Sequence, residues 1–422
     1  MFIRFILITV GFLMVACTST KQIMTKQVQV DSNVLVGLLQ SHPEYFSSIL
    51  KNKEALNVQV IYTQINRDAN NVPSFTDYTF NVDNGQYFYP ASTVKMPISF
   101  LALQKLNELN INGLERTTSM ITDSIHPAQQ KVYTDPVAPD ARPSIEQYIR
   151  EIFLLSDNTA FNRLYEFLGQ EYINTQLHKM GYQNTEILHR LSVPLSEEQN
   201  RYTNAVDFYD TASTIIYHQA AQYNNRRYSK RNTRLGKGYY QGKNLINEPF
   251  DFSKKNRLAL PDLHNILRSV VFPETVPAKR RFNLTPADYT FLYKCMSTLP
   301  RESKIPVYDT ADYWDSYVKF LFYGSAKGTL PDHIRIFNKV GDAYGFLTDV
   351  AYIVDFKTNT EFMLSATILC NSDGIFNDDH YDYEEIGFPF MKNLGQVIYQ
   401  YELQRKRTHL PDLAKFKFNY ND

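Results

Sequence analysis

The chain has 422 residues, 43% of them hydrophobic and 14% aromatic, with only 16 glycines. That composition fits one large ordered domain with an insertion, or two domains, and excludes a low-complexity or disordered chain. Forty-four basic residues balance forty-four acidic ones, so no global field draws the chain to nucleic acid or to an anionic membrane.

The first element is an apolar run from Phe5 to Ala16 behind Arg4. It is too short to span a bilayer and has the size of a signal-peptide core. It ends in Met14-Val15-Ala16-Cys17, followed by polar Thr18-Ser19-Thr20-Lys21. Small residues directly before a Cys resemble the lipobox of bacterial lipoproteins. The resemblance implies a signal peptide over 1–17 with Cys17 as the lipidation site, and residues 18–32 read as a tether. Thr18, where Asp would signal retention, implies an outer-membrane anchor facing the periplasm. No later stretch reaches transmembrane length, so the expected body is soluble, tethered and monomeric. Cys295 and Cys370 lack metal-ligand spacing and read as core residues, and whether they pair stays open.

Beyond the tether, Val34, Leu35, Leu38 and Leu39 recur at helical spacing and predict a helical segment towards Leu50. Val58 to Ile65 alternates like a strand, and Tyr78 to Val82 reads as its hairpin partner. A helix is expected from Ser92, another over Ile145 to Leu155, and helical segments from Asn158 to Met180 broken at Gly169. Three strands follow much later, His333 to Lys339, Asp349 to Phe356 and Phe362 to Cys370. Phe390, Met391, Leu394, Val397, Ile398 and Tyr401 then form one apolar helical stripe. Both ends of the chain thus supply strands and helices. The expected fold is an α/β sandwich, an antiparallel sheet flanked by N- and C-terminal helices, with an all-helical subdomain from the middle. The body is read over 33–406, with an insertion at about 219–282 and a tail over 407–422.

Three short motifs carry chemistry. In Ser92-Thr93-Val94-Lys95, a residue three positions on shares a helix face, so the Lys amine can sit beside the Ser hydroxyl. A buried Lys with a lowered pKa can take that proton and activate the oxygen. Alone the motif is weak, because Ser48-Ile49-Leu50-Lys51 repeats it and reads as a solvated helix end. Ser156-Asp157-Asn158 opens a later helix. It suits an N-cap, and its Ser and Asn suit proton relay and amide binding. Lys339-Val340-Gly341 closes a strand, where Lys can hold an anion and Gly admits a close approach.

Taken in order, these segments resemble the class A β-lactamase-like serine hydrolases, which include penicillin-binding enzymes. The likeness extends along Phe88-Tyr89-Pro90-Ala91-Ser92-Thr93-Val94-Lys95-Met96-Pro97-Ile98 and Leu155-Ser156-Asp157-Asn158-Thr159-Ala160-Phe161-Asn162. It continues through Leu330-Pro331, Lys339 to Gly345 and Thr348-Asp349-Val350-Ala351. It implies the β-lactamase/transpeptidase-like sandwich and a β-lactam or peptidoglycan-type amide as substrate, with no cofactor, metal or nucleic-acid partner. It also implies Ser92 as nucleophile, Lys95 as general base and Ser156 as proton relay. Asn158, Lys339 and Gly341 would bind substrate, and the backbone N–H groups of Ser92 and Asp342 would hold an oxyanion. A D-alanyl-D-alanine peptidase-like protein and a non-catalytic envelope binder are the alternatives.

Two departures stand out. Val340 and Asp342 occupy positions where the family places hydroxyl or small residues. The loop His189 to Asn200 lacks the family's water-activating Glu in its usual relation to Asn, and Glu197 and Glu198 there read as solvated charges. The basic runs Arg226 to Lys237 and Lys279 to Arg281 read as a solvated surface or a lid, and less readily as a site for a polyanion or lipid headgroup. Asp378 to Glu385 lacks the spacing of a calcium loop.

Overall fold

The computed structural model describes residues 33–124, 130–138 and 140–420. The lipobox, Cys17 and the tether lie outside the described residues. Among those described, no helix is long and apolar enough to cross a membrane.

A five-stranded antiparallel sheet forms the centre. We number its strands β1 (Gln59–Arg67), β2 (Pro73–Phe80), β3 (Ile334–Ala343), β4 (Phe346–Asp355) and β5 (Thr360–Leu369). Their order across the sheet is β3-β4-β5-β1-β2, so the two ends of the chain meet where β1 pairs with β5. Period-2 alternation divides each strand between two cores. Val60, Tyr62, Leu347, Ala351 and Ile353 face one core, whereas Ile61, Ile65, Val350, Tyr352 and Val354 face the other. Both faces are therefore covered, and β4 is buried along its whole length.

The first face is covered by α1 (Asn33–Ser41), α2 (Pro43–Lys51) and the C-terminal helix α9 (Phe388–Gln404), through Leu35, Leu39, Phe46, Phe390, Met391, Leu394 and Ile398. The second face meets the helical body of α3 (Lys95–Leu109), α4 (Ile145–Leu155), α5 (Asn158–Leu168) and α6 (Gln170–Lys179), together with α7 (Leu260–Val271) and α8 (Pro286–Ser297). This is the antiparallel sandwich with a helical subdomain that the sequence implies.

Three regions differ from the sequence-based boundaries. β3 runs to Ala343, so Lys339, Val340 and Gly341 lie inside the strand, before a tight turn at Tyr344 and Gly345 with positive φ at both. The stretch 219–282 divides in two. Its first part forms short strands over 234–251 and carries Phe252, wholly buried among Tyr89, Tyr344 and Phe376. Its second part is α7, which lies on the sheet and places His264 between the Thr63 hydroxyl (2.8 Å) and that of Ser365 (2.7 Å). Within 407–422, Leu413 and Phe416 are buried, and the Phe416 ring lies 4.9 Å from that of Tyr352. Cys295 and Cys370 are buried and unpaired.

Candidate active site

The nucleophile segment is a single 3-10 turn, Ala91–Val94, that runs into α3, so Ser92 precedes the helix proper. Ala91 sits at φ 45°, turning the chain sharply into the helix. Strand β3 lies hard against this turn. A Cβ on Gly341 would fall 2.6 Å from Pro90 O and 2.9 Å from the backbone nitrogens of Ser92 and Thr93. Only glycine fits there. Its room is taken by the protein's own backbone, a tighter constraint than the substrate approach expected from the sequence.

The second motif is the joint between two helices. Ser156 takes the left-handed conformation (φ 61°) at the C-terminus of α4, and Asp157 caps α5 by accepting the Ala160 N–H at 2.7 Å. That joint turns Ser156 and Asn158 towards Lys95.

Lys95 is fully buried. Its Nζ lies 2.8 Å from Ser92 Oγ, 2.7 Å from Asn158 Oδ1 and 3.2 Å from Ser156 Oγ, and it also meets the Ser156 carbonyl. Lys339 reaches the same hydroxyl from β3, with Nζ 2.7 Å from Ser156 Oγ and 2.9 Å from Val340 O. The structure thus brings Ser92, Lys95, Ser156, Asn158 and Lys339 together, with Gly341 and Asp342 alongside.

Burial lowers the Lys95 amine to about 7, against smaller opposing effects of Asp157 and Asp342. Burial, then the neighbouring Lys95, lowers Lys339 as well. Two ammonium groups sharing one buried hydroxyl repel, so at least one is neutral near physiological pH. A neutral Lys95 has two N–H bonds and one lone pair. The Ser156 carbonyl and Asn158 Oδ1 can only accept, so they take the two N–H bonds and leave the lone pair for the Ser92 hydroxyl. In the second Ser-x-x-Lys match, at the end of α2, the Ser48 and Lys51 side chains are exposed, as expected.

The loop read for the missing Glu is pinned to α5. Glu166 forms a buried ion pair with Arg190 at 2.7 Å and accepts the Asn204 N–H, while Asn162 pairs with the Leu191 backbone. At its tip Ser192 accepts a hydrogen bond from Asn158 Nδ2 at 2.8 Å. Glu197 pairs with Lys254 at 2.8 Å, Glu198 accepts from the Tyr223 hydroxyl, and neither lines the cleft. The approach of Ser192 depends on loop conformation and not on spacing, so no motif in the sequence marks it.

Above Ser92 opens a cleft of about 450 Å³. One wall comes from residues 313–325, a segment without a sequence motif, although it carries the chain's single Trp, Trp314. Behind it Lys319 is fully buried, bonded to Met296 O and Asn338 Oδ1, while Asp349 accepts from Asn338 and from the Leu321 N–H. This network fastens the wall to β3 and β4. The basic stretch 226–237 is partly internal: Arg226 bonds Thr175 Oγ1 at 2.9 Å, and Arg231 pairs with Glu186 at 3.3 Å. No group of three His, Cys, Asp or Glu is placed to hold a metal among the described residues.

Fold and constellation together are β-lactamase-like. The family model described as "Beta-lactamase enzyme family" matches residues 44–235, a span that contains Ser92, Lys95, Ser156 and Asn158 and ends before Lys339. Among solved structures the chain is similar to PBP-A, at 15% identity over 87% of this chain and 96% of that one, with a TM-score of 0.49. It is also similar to a β-lactamase from Desulfarculus baarsii, at 11% identity over 87% and 98%, with a TM-score of 0.48. A class A β-lactamase from Clostridium kluyveri matches at 13% identity over 85% and 98%, with a TM-score of 0.47. No curated protein matches.

Proposed function

We propose that the protein is a serine hydrolase or acyltransferase that forms an acyl-enzyme through Ser92 on a β-lactam or a cell-wall-type amide. The observation that carries this reading is the Lys95 amine, buried, lowered to about 7 and 2.8 Å from Ser92 Oγ with its lone pair left for that hydroxyl. Lys95 takes the Ser92 proton as Oγ bonds to the carbonyl carbon. The backbone N–H groups of Ser92 and Asp342 hold the oxyanion. The carbonyl C–N bond then breaks, and the leaving nitrogen receives the proton from Lys95 through the Ser156 hydroxyl. An ester on Ser92 remains. Water or an acceptor amine attacks that ester, and Ser92 Oγ regains a proton as it leaves.

The second half of this cycle is slow in our reading. Ser192, not a carboxylate, faces Asn158 on the loop, so the loop offers Asn158 a hydroxyl where a water-activating carboxylate would stand. That favours the penicillin-binding, peptidase-like alternative over an efficient β-lactamase. We further propose that the body is held at the cell envelope by lipid on Cys17.

Intact mass of the protein purified from the envelope tests both statements. Incubation with a neutral activated ester, and separately with benzylpenicillin, should add the acyl mass, persistently, and Ser92→Ala should abolish it. A lipid mass at the N-terminus should vanish in Cys17→Ala. If no donor labels Ser92, the acyl-enzyme reading is wrong and a non-catalytic binder replaces it.

A further inference from the structure

The cleft above Ser92 has an unusual charge. Three carboxylates line it, Asp157, Asp342 and Glu384, and no Lys, Arg or His does so among the described residues. Asp157 accepts the Ala160 N–H and Glu384 accepts the Ser325 hydroxyl, yet none of the three forms a salt bridge among the described residues. Asp342 and Glu384 both reach solvent, and crowding around the Asp342 carboxyl raises its pKa against the opposing pull of Lys339 and Lys95. The two lysines beneath the floor offset part of this charge at Asp342, but neither lines the cleft. Lys339 is spent on Ser156 Oγ and Val340 O, and Lys95 on Ser92, Ser156 and Asn158. Next to Lys339, where a hydroxyl would receive a substrate carboxylate, stands buried, apolar Val340.

The wall from 313–325 is aromatic, with Tyr313, Trp314 and Tyr317 in the lining. Aromatic faces attract cations, most strongly where the cation is shielded from water. This wall already does so: the Lys327 ammonium lies 4.6 Å over the Trp314 ring, although Lys327 does not itself line the cleft. Acidic residues and aromatic rings in one lining form a receptor for a cation beside a reactive serine.

We infer that the acyl donor of this site is an ester or amide that carries an ammonium group, and that Asp342, Glu384 and the Tyr313–Tyr317 wall select it. The inference rests on Ser92 being the nucleophile and names the substrate class of that same site. An anionic end, by contrast, meets three carboxylates in the lining, with Lys95 and Lys339 only beneath it.

Two matched series of p-nitrophenyl esters and thioesters test it. In one, the acyl chain ends in trimethylammonium, its neutral tert-butyl isostere or a carboxylate. In the other, the same three groups sit on the leaving thiol. In each, the Ser92 Oγ–carbonyl bond forms, the bond to the phenolate or thiolate breaks, the Ser92 proton goes to Lys95 and the leaving group departs as the anion. In at least one series the cationic donor should acylate about tenfold faster than its neutral isostere, as kcat/KM, with the carboxylate slowest. Added salt should shrink that ratio, and so should Asp342→Asn and Glu384→Gln, each read against its own neutral rate. Neutral donors equal to or faster than cationic ones in both series, with Ser92 still acylated, would overturn the inference and leave the nucleophile intact. Failure of every donor to acylate Ser92 would overturn both.

Discussion

At the scale of single residues, Gly341 shows how tightly the site is assembled. The atoms nearest its missing Cβ are backbone, Pro90 O and the nitrogens of Ser92 and Thr93, and none of them can rotate away. Gly341→Ala must therefore push β3 off the nucleophile turn, carrying Lys339 and the Asp342 N–H with it. We expect acylation of Ser92 by a neutral ester to fall about a hundredfold, with a stability loss of only about 1–3 kcal/mol. Retention of the wild-type acylation rate would show that the strand and the turn move together. The motif residues were legible for physical reasons. Ser92 and Lys95 are one helical turn apart, Ser156-Asp157 is a helix-capping pair, and Lys339 lies on a strand with a clear apolar pattern. Ser192, Glu384 and Trp314 were not singled out. Their place at the site comes from loop paths, which no period in the sequence records.

Between elements, the paired cores explain which part of the fold could be read ahead and which could not. The strands of the central sheet alternate or run continuously apolar, and α9 shows a single stripe, so both declare themselves. α7 has an equally apolar face, but it follows a basic, aromatic stretch and was read as part of the insertion. The contacts from Thr63 and Ser365 to His264 reveal it as a layer of the sandwich. The final segment is similar. Phe416 is wholly buried, with its ring against Tyr352, Phe337 and Tyr293, although its neighbours Lys415 and Lys417 look like those of a polar tail. Phe416→Ala should leave a cavity on the sheet and cost about 3–5 kcal/mol, read as a lowered urea midpoint. A cost below about 1 kcal/mol would mean that the segment folds back without bearing on the core.

Across the whole molecule, the buried lysines couple stability to pH. Burial lowers Lys95 and Lys319 to about 7 and Lys105 to about 8, from an ordinary value near 10.5. Between about pH 8 and 9 the unfolded chain holds these three protons and the folded chain has released them. Stability rises with pH wherever the unfolded state binds more protons, so it should rise across this window. Below it Glu151 opposes the rise, because burial pushes its carboxyl up to about 8 and the folded state keeps a proton that the unfolded state lost near pH 4.5. Above it the buried Cys295 thiol, pushed up to about 12, and the buried tyrosines retain protons that the unfolded chain gives up, and the trend reverses. The urea midpoint should therefore climb from about pH 8 to 9 and fall again by about pH 10.5. Lys319 bonds Met296 O and Asn338 and touches neither Ser92 nor Lys95, so Lys319→Met should flatten the climb by removing one of the three protons. A midpoint that stays level or drops between pH 8 and 9 would mean that these ammonium groups remain charged inside the protein. Lys95 would then be charged as well and could not serve as the base for Ser92.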